Sequence, residues 1–525
     1  MLQILKTRWP LFLVLLAFII CAVPHLDYPY YWDESWPYAP AIRQMFVHGI
    51  SLMPNAVDSE LSRGHPLFFH AIAALWMHIF GSSHIAMHSF ALLISVLFLV
   101  AIYETGIRLF NPRVAFLALI LVACQELFFV QSTFVLLEIL VAFLVFVSLY
   151  FYVRGKYLLT ILSLSALFYT KESGLILGAV LGLDAFFSLF GKNNFTHKNI
   201  LSVVSVAVPC LLTGIFFLLQ KHIRGWYIFP FYHDLIEHNW LAFWYKFRMG
   251  SVRGVFSEHF IYLDFILLLL LSLFVAAKNK KAAWLVLLLP AILIYFFVDD
   301  IRAGHITHPK PFFALFILSI GATLFALRKL DVYENKLQRK YIELSAYFII
   351  GFLCFSATNF FSYRYLLAAI IPALFFAAVV LDKLTEQSYK VAYYPLIAAV
   401  FCISYYAYTH NYGYGDGDMD AFKAMKVQSE VVAFFQKNNA YDSSISSGSF
   451  MARNHLTDPY TGFLPPSSRI FKNVKWDIDS STAFVIMDDI EPDSRYGYIK
   501  TNPAFHIVFS TRKDSIWTEI YEQKK

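Results

Sequence analysis

The stretch Tyr31-Trp32-Asp33-Glu34-Ser35-Trp36 comes almost directly after an apolar run from Leu11 to Val23. Two adjacent carboxylates therefore stand among aromatic rings at the edge of a length of chain suited to crossing a bilayer. A carboxylate there costs free energy unless it is solvated, paired or bound to a ligand. Two readings follow: a solvated loop with interfacial Trp and Tyr anchors, or a reaction centre with Asp33 and Glu34 as its acids. The positions of the other polar residues decide between them.

The 525 residues are 58% hydrophobic and 15% charged, with a mean hydropathy of +0.58. A soluble globular chain does not carry that much apolar surface, so a polytopic membrane protein is expected. The net charge of +6 is then a matter of topology, since the basic residues collect at helix ends; nucleic acid is not an expected partner. Cys21, Cys124, Cys210, Cys354 and Cys402 all lie inside apolar segments, which argues against a disulfide framework. Lys6 and Arg8 before the first apolar run resemble the start of a secretory signal. With no small-residue cleavage site after it, the run is expected to stay as a signal anchor.

Spanning segments need roughly 20 apolar residues each. Hydropathy places about 13 between Trp9 and Tyr408, oriented by basic residues on the inner side. Arg108, Arg113, Arg154, Lys156, Lys192, Lys198, Lys278, Arg328 and Lys329 then face inward. Asp33, Glu34, Arg63, His65, Glu138, Lys171, Glu172, Asp299, Asp300, His305, His308 and Arg364 all fall on or near the outer face. Single positions would carry little weight; their agreement on one side is what an outward-facing reaction centre requires. Residues 1–410 are expected to form the membrane domain, with a large first outer loop over 24–84. A Gly-Asp-rich linker follows Tyr412, and 411–525 are expected to form a small outer α/β domain, with a helix over Ala421–Lys437 and strands near Ala483–Met487 and His506–Ser510.

Each candidate has a bland alternative. Glu138, near the outer end of the fourth span after Gln131, Ser132 and Thr133, is an acid in an apolar helix, so it either contacts a ligand or is packed and paired. Lys171-Glu172 is either part of a site or a salt-bridged surface corner. Arg364 suits bidentate contact with a phosphate, or it snorkels. His84 and His88 at i, i+4 spacing suit a metal, but no third ligand is evident and a plain helix face fits as well. Walker sequences, Gly-x-Ser-x-Gly elbows and paired-cysteine metal spacings do not occur.

Asp33-Glu34 after the first span, Gly64-His65-Pro66-Leu67 before an interfacial helix, Glu138, Thr170-Lys171-Glu172 and Arg364-Tyr365-Leu366 before a late span occur in a telling order. In this the chain resembles the GT-C glycosyltransferases of the protein O-mannosyltransferase and lipid A aminoarabinose transferase superfamily, which use polyprenyl-phosphate sugars. The resemblance covers essentially the whole chain. It implies an α-helical polytopic membrane protein of GT-C type with a small outer α/β domain. It implies Asp33 as catalytic base with Glu34 beside it, and inversion at the anomeric carbon. Arg63, Lys171 and Arg364 are then candidates to meet the leaving phosphate, with His65, Glu138 and Glu172 as further substrate contacts. Two departures stand out: the family's platform commonly reads Lys-Pro-Pro-Leu, so Arg63 or His65 takes the place of that lysine, and Glu138 stands where Asp is often found.

The function expected is transfer of a sugar from a polyprenyl phosphate to a glycan, lipid or protein acceptor, at a bacterial inner membrane with the site facing the periplasm. The rival is a lipid-linked sugar or polysaccharide transporter, against which stands the absence of an inverted repeat. No cofactor is required by the sequence. A divalent metal remains open, since Asp33, Glu34 and nearby histidines suit either a bound ion or chemistry without one.

Overall fold

The structure, a computed structural model, describes residues 2–190, 195–252, 335–358, 362–388, 415–465 and 467–524. Expected spans eight, nine, ten and thirteen, with Asp299, Asp300, His305 and His308, lie outside the described residues.

Five described helices are long and apolar enough to cross a membrane. They include α1 (Leu2–Ala22), α4 (His84–Leu109), α9 (His197–Arg224) and α10 (Lys336–Thr358). The fifth stretch, Tyr363–Lys383, falls largely within α11 (Leu367–Ser388). Shorter apolar helices are α3 (Phe68–Phe80), α5 (Pro112–Ala123), α6 (Glu138–Val153) and α7 (Tyr157–Phe168). Helix α8 is Leu175–Ser188, and the first loop also holds α2 (Tyr38–His48). The chain is a multi-pass membrane protein.

Two expected spans differ in form. The third, expected as one segment from Val114 to Val130, breaks after Ala123, and a separate helix runs from Glu126 to Gln131. Gln125 ends the first piece and caps the second, its side-chain oxygen accepting from Phe128 N–H. The fourth, expected from Phe134, begins at Glu138, and the Val135 N–H ahead of it donates to Glu34.

In lipid, helices associate through close packing and not through expulsion of water. Here an aromatic cluster joins four helices: Phe98 of α4 meets Phe146 of α6, with ring centroids 5.6 Å apart. Phe146 and Tyr341 of α10 both pack on Phe375 of α11, at 5.4 and 5.6 Å. Gly106 lets α4 approach α5 closely, since a Cβ there would stand 2.5 Å from the Ala115 Cα.

Beyond residue 414 lie α12 (Ala421–Lys437), α13 (Phe450–Thr457) and a five-stranded sheet. Its strands are β1 (Ser444–Ser447), β2 (Asn473–Lys475), β3 (Phe484–Asp488), β4 (Phe505–Lys513) and β5 (Ile516–Gln523), in the order β2-β1-β3-β5-β4. The first three are parallel, while β5 is antiparallel to β3 and to β4. The apolar stripe of α12 covers one sheet face through Phe434 against Phe509 and Phe435 against Phe484.

Candidate active site

Asp33 and Glu34 occupy a single turn, Trp32–Glu34, just beyond α1. Trp32 holds φ at +50°, a left-handed conformation costly for a bulky residue and sustained by its surroundings. The clamp on the turn is Glu34, which is fully buried. Its carboxylate accepts from Val135 N–H at 2.7 Å and Tyr31 N–H at 3.3 Å, and meets His88 Nε2 at 2.8 Å. His88 Nδ1 faces the Leu26 carbonyl at 2.8 Å. A carbonyl only accepts, so Nδ1 carries a proton, and Nε2 shares a second with Glu34. One histidine thereby ties the end of α1, the acidic turn and the approach to α6.

Asp33 points the other way, toward Arg364, whose Nη2 donates to it. Burial on its own would raise the Asp33 pKa, but the Arg364 guanidinium, aided by Arg63 and Lys171, holds it below the usual carboxylate range. Arg364 is itself buried, paired on its other side with Asp416, and its Nε lies 3.5 Å from Glu138 Oε1. The stretch holding Asp416, expected as a flexible linker, is here a packed turn. Gln131 Nε2 donates to the Asp416 carbonyl at 2.6 Å, and Met419 N–H donates to Glu126 at 2.9 Å.

Glu138 opens α6, where an anion suits the helix N-terminus, and accepts from Lys171 Nζ at 3.1 Å. Lys171 lies over the Tyr365 ring, 3.7 Å from its centroid. Lys171-Glu172 is therefore not a self-paired surface corner. Glu172 bonds His65 Nδ1 at 2.8 Å; although burial would raise its pKa, His65 and Lys171 bring it down to about 2. The other His65 nitrogen is 3.5 Å from the Tyr232 hydroxyl. Arg63, in the left-handed region at φ +53°, ends a short helix. Gly64 follows at φ +73°, where a Cβ would press on Trp226 at 2.9 Å.

Part of this group lines a cavity of about 680 Å³, whereas Asp33 and Glu34 are not among its lining residues. Arg63, His65, Glu138, Lys171 and Glu172 line one part of it, and Val141, Leu175, Ile176, Ala179, Phe217 and Phe352 line the rest. Arg364 is not among the lining residues; it stands behind them, between Asp33, Glu138 and Asp416. Sequence reasoning thus located the polar group but missed Asp416 and the clamp made by His88. The acid between Gly415 and Gly417, in the Gly-rich stretch after the last apolar segment, was a signal for the first. A histidine one turn into an apolar helix, His88, was a signal for the second.

Among the described residues, no three His, Cys, Asp or Glu side chains form a metal-holding group. Asp33 and Glu34 are engaged by Arg364 and His88, and His84 packs on Tyr30, ring centroids 4.6 Å apart, so these described residues do not assemble a ligand set.

Residues 64–215 match the family model described as dolichyl-phosphate-mannose-protein mannosyltransferase, a segment that contains His65, Glu138, Lys171 and Glu172. No curated protein matches the chain by sequence. Among solved structures, ArnT from Cupriavidus metallidurans bound to undecaprenyl phosphate aligns over 98% of both chains at 15% identity, with a TM-score of 0.51. Its apo form aligns over the same shares at 14% identity and a TM-score of 0.50. The Archaeoglobus fulgidus oligosaccharyltransferase in the apo form aligns over 92% of this chain and 70% of its own at 12% identity, with a TM-score of 0.47. The chain therefore shares the fold of ArnT over nearly its whole length, and its residues 64–215 are similar to the mannosyltransferase family model.

Proposed function

We propose that this chain is a membrane glycosyltransferase that moves a sugar from a polyprenyl phosphate to an acceptor hydroxyl. The observation that carries the reading is the amphipathic cavity: a polar part where Arg63, His65 and Lys171 stand with Glu138 and Glu172, and hydrocarbon-lined walls at the other. A phosphate on a long apolar chain is a ligand of that shape and charge, and the ArnT structure of the same fold holds undecaprenyl phosphate.

In this reading Asp33 accepts the proton of the acceptor hydroxyl. The freed oxygen attacks the anomeric carbon from the face opposite the phosphate, which gives inversion. The bond from anomeric carbon to phosphate oxygen breaks, its electron pair stays on the phosphate, and Arg63 and Lys171 meet the growing charge. Glu138 and Glu172 hold Lys171 and His65 in place. Glu34 supports the Asp33 turn, and Arg364 orients Asp33. No step is routed through a metal ion.

We place the site on the periplasmic side of an inner membrane. Support comes from Arg8 and Arg108 on Glu104 and Lys340 on Asp184, which gather at the helix ends remote from Asp33, as basic residues do on the cytoplasmic side. Residues 1–410 then form the catalytic membrane domain and 411–525 an outer domain.

The cavity assignment is tested by saturable binding of undecaprenyl phosphate to the purified full chain, followed by native mass spectrometry. Lys171→Met, which removes the charge, and Ala179→Trp, which fills the apolar wall, should each weaken binding roughly 10-fold or more. Unchanged binding in both variants would remove the donor from this cavity.

A further inference from the structure

An alternating ribbon of arginines and aromatic rings leaves the cavity mouth and crosses to the edge of the sheet. The Arg63 guanidinium carbon is 5.2 Å from the Phe231 ring centroid and 4.3 Å from that of Trp36. The Trp36 ring meets Phe450 edge-on at 5.4 Å. Arg453 continues the series, 5.8 Å from Phe450 and 4.5 Å from Trp476. Trp36 is three residues from Asp33, and Trp476 directly follows the edge strand β2, so the ribbon runs from beside the catalytic turn onto the C-terminal sheet.

Three properties separate this ribbon from ordinary surface. Three of its rings are open to solvent, Phe231 by 54%, Phe450 by 38% and Trp476 by 51%, while Trp36 is half-buried. Its cations lack partners: among the described residues neither Arg63 nor Arg453 forms an ion pair, whereas Arg8, Arg364 and Arg495 all do. It is also braced from beneath. The Trp476 carbonyl accepts from Ser446 Oγ at 3.0 Å and Arg495 Nη1 at 2.7 Å, and Arg453 Nε donates to the Ser449 carbonyl at 3.3 Å.

We infer that this ribbon is the acceptor site and that the acceptor is an acidic saccharide. A pyranose ring presents an apolar C–H face that lies flat on an aromatic ring, and the exposed rings offer a series of such faces. The Arg453 guanidinium sits beside them with no carboxylate partner, placed to take a carboxylate, sulfate or phosphate on the sugar. Charge complementarity selects the occupant: with Arg63 turned to the donor phosphate, a neutral glycan would leave the Arg453 guanidinium unanswered. This rests on the transferase reading above and names the acceptor of the same site, since a saccharide lying along Trp36 brings its hydroxyls beside Asp33.

The test is binding of an oligogalacturonate hexasaccharide, a sulfated dextran fragment and neutral maltohexaose to the full chain in nanodiscs, read by tryptophan fluorescence. Undecaprenyl phosphate binding is measured on every sample. Both acidic saccharides should bind roughly 10-fold or more tighter than maltohexaose and weaken as salt rises. Arg453→Gln and Trp476→Ala should each lose most of that affinity and keep undecaprenyl phosphate binding, which certifies their fold. Arg453→Lys should recover only part of it, since an ammonium lacks the planar stack.

Equal affinity for acidic and neutral saccharides, failure of both acidic probes to bind, or binding indifferent to both substitutions overturns the inference. So does quenching of Trp476 by brominated lipid, which would make the rings a membrane anchor. Loss of undecaprenyl phosphate binding by the wild-type chain would instead defeat the transferase reading.

Discussion

Asp33 and Glu34 are neighbours in sequence with different surroundings. Glu34 is sealed in with His88, while Asp33 faces Arg364 beside the cavity. Because Arg364 keeps Asp33 ionised below the usual carboxylate range, the acid limb of the transfer rate should fall below about pH 4. A limb near neutrality in the pH profile of kcat/KM would assign the base elsewhere. His88→Leu strands the Glu34 charge in the interior and should cost about 3–5 kcal/mol. Adding Glu34→Gln should restore part of that, so the thermal stabilities of the two single variants and the double should be strongly non-additive; additive losses would contradict the pair. Most of the polar residues that meet here stood out in sequence because ions are conspicuous among apolar neighbours. Their pairing did not, because the partners are distant in the chain: Lys171 meets Glu138 instead of its neighbour Glu172, and Asp416 reaches Arg364 from beyond the last apolar stretch.

At the scale of elements, periodicity placed α12 at its observed bounds, because its apolar residues recur on the face that packs on the sheet. Hydropathy misjudged the third span, where the Gln125 side chain takes the Phe128 N–H that a continuous helix would use, and the fourth, which begins at Glu138 instead of Phe134. Gly106 marks a contact that hydropathy does not reveal. Gly106→Val would force α4 off α5 against the Ala115 backbone, and should cost about 1–3 kcal/mol, read as a lower Tm in detergent; an unchanged Tm would mean the helices are not packed there.

In the sheet, burial raises the Asp488 carboxyl to about 7, with Glu491 and Asp489 adding to it against backbone hydrogen bonds that oppose it. A carboxyl raised on folding stabilises most at low pH, and that contribution is lost as pH rises from about 4 through about 7. Asp488→Asn should therefore leave Tm nearly unchanged at pH 4 and raise it at pH 8. A lower Tm for the variant at pH 8 would contradict the assignment.

Across the whole molecule, the two ends of the helices differ in character. One gathers Arg8, Arg108 and Lys340 on their carboxylate partners; the other holds the cavity mouth, the Asp33 turn and the C-terminal elements. Those elements are fastened to the first loop: Tyr30 N–H donates to the Thr461 carbonyl at 2.8 Å, and His25 stacks on Phe422 at 4.1 Å. The polar tail read in sequence as a separate outer unit thus contributes Asp416 to the site. A composition change marks where the chain leaves the membrane, but it does not reveal where the chain returns to pack.

The most direct measurement is sugar transfer from a labelled polyprenyl-phosphate-sugar pool in membranes carrying wild type or Asp33→Asn, at matched protein level and with undecaprenyl phosphate binding confirmed in both. With Asp33 as the base, the variant should lose transfer by roughly 100-fold or more while still binding the lipid. Transfer that survives the substitution unchanged would contradict the assignment of Asp33 as the group that takes the acceptor's proton.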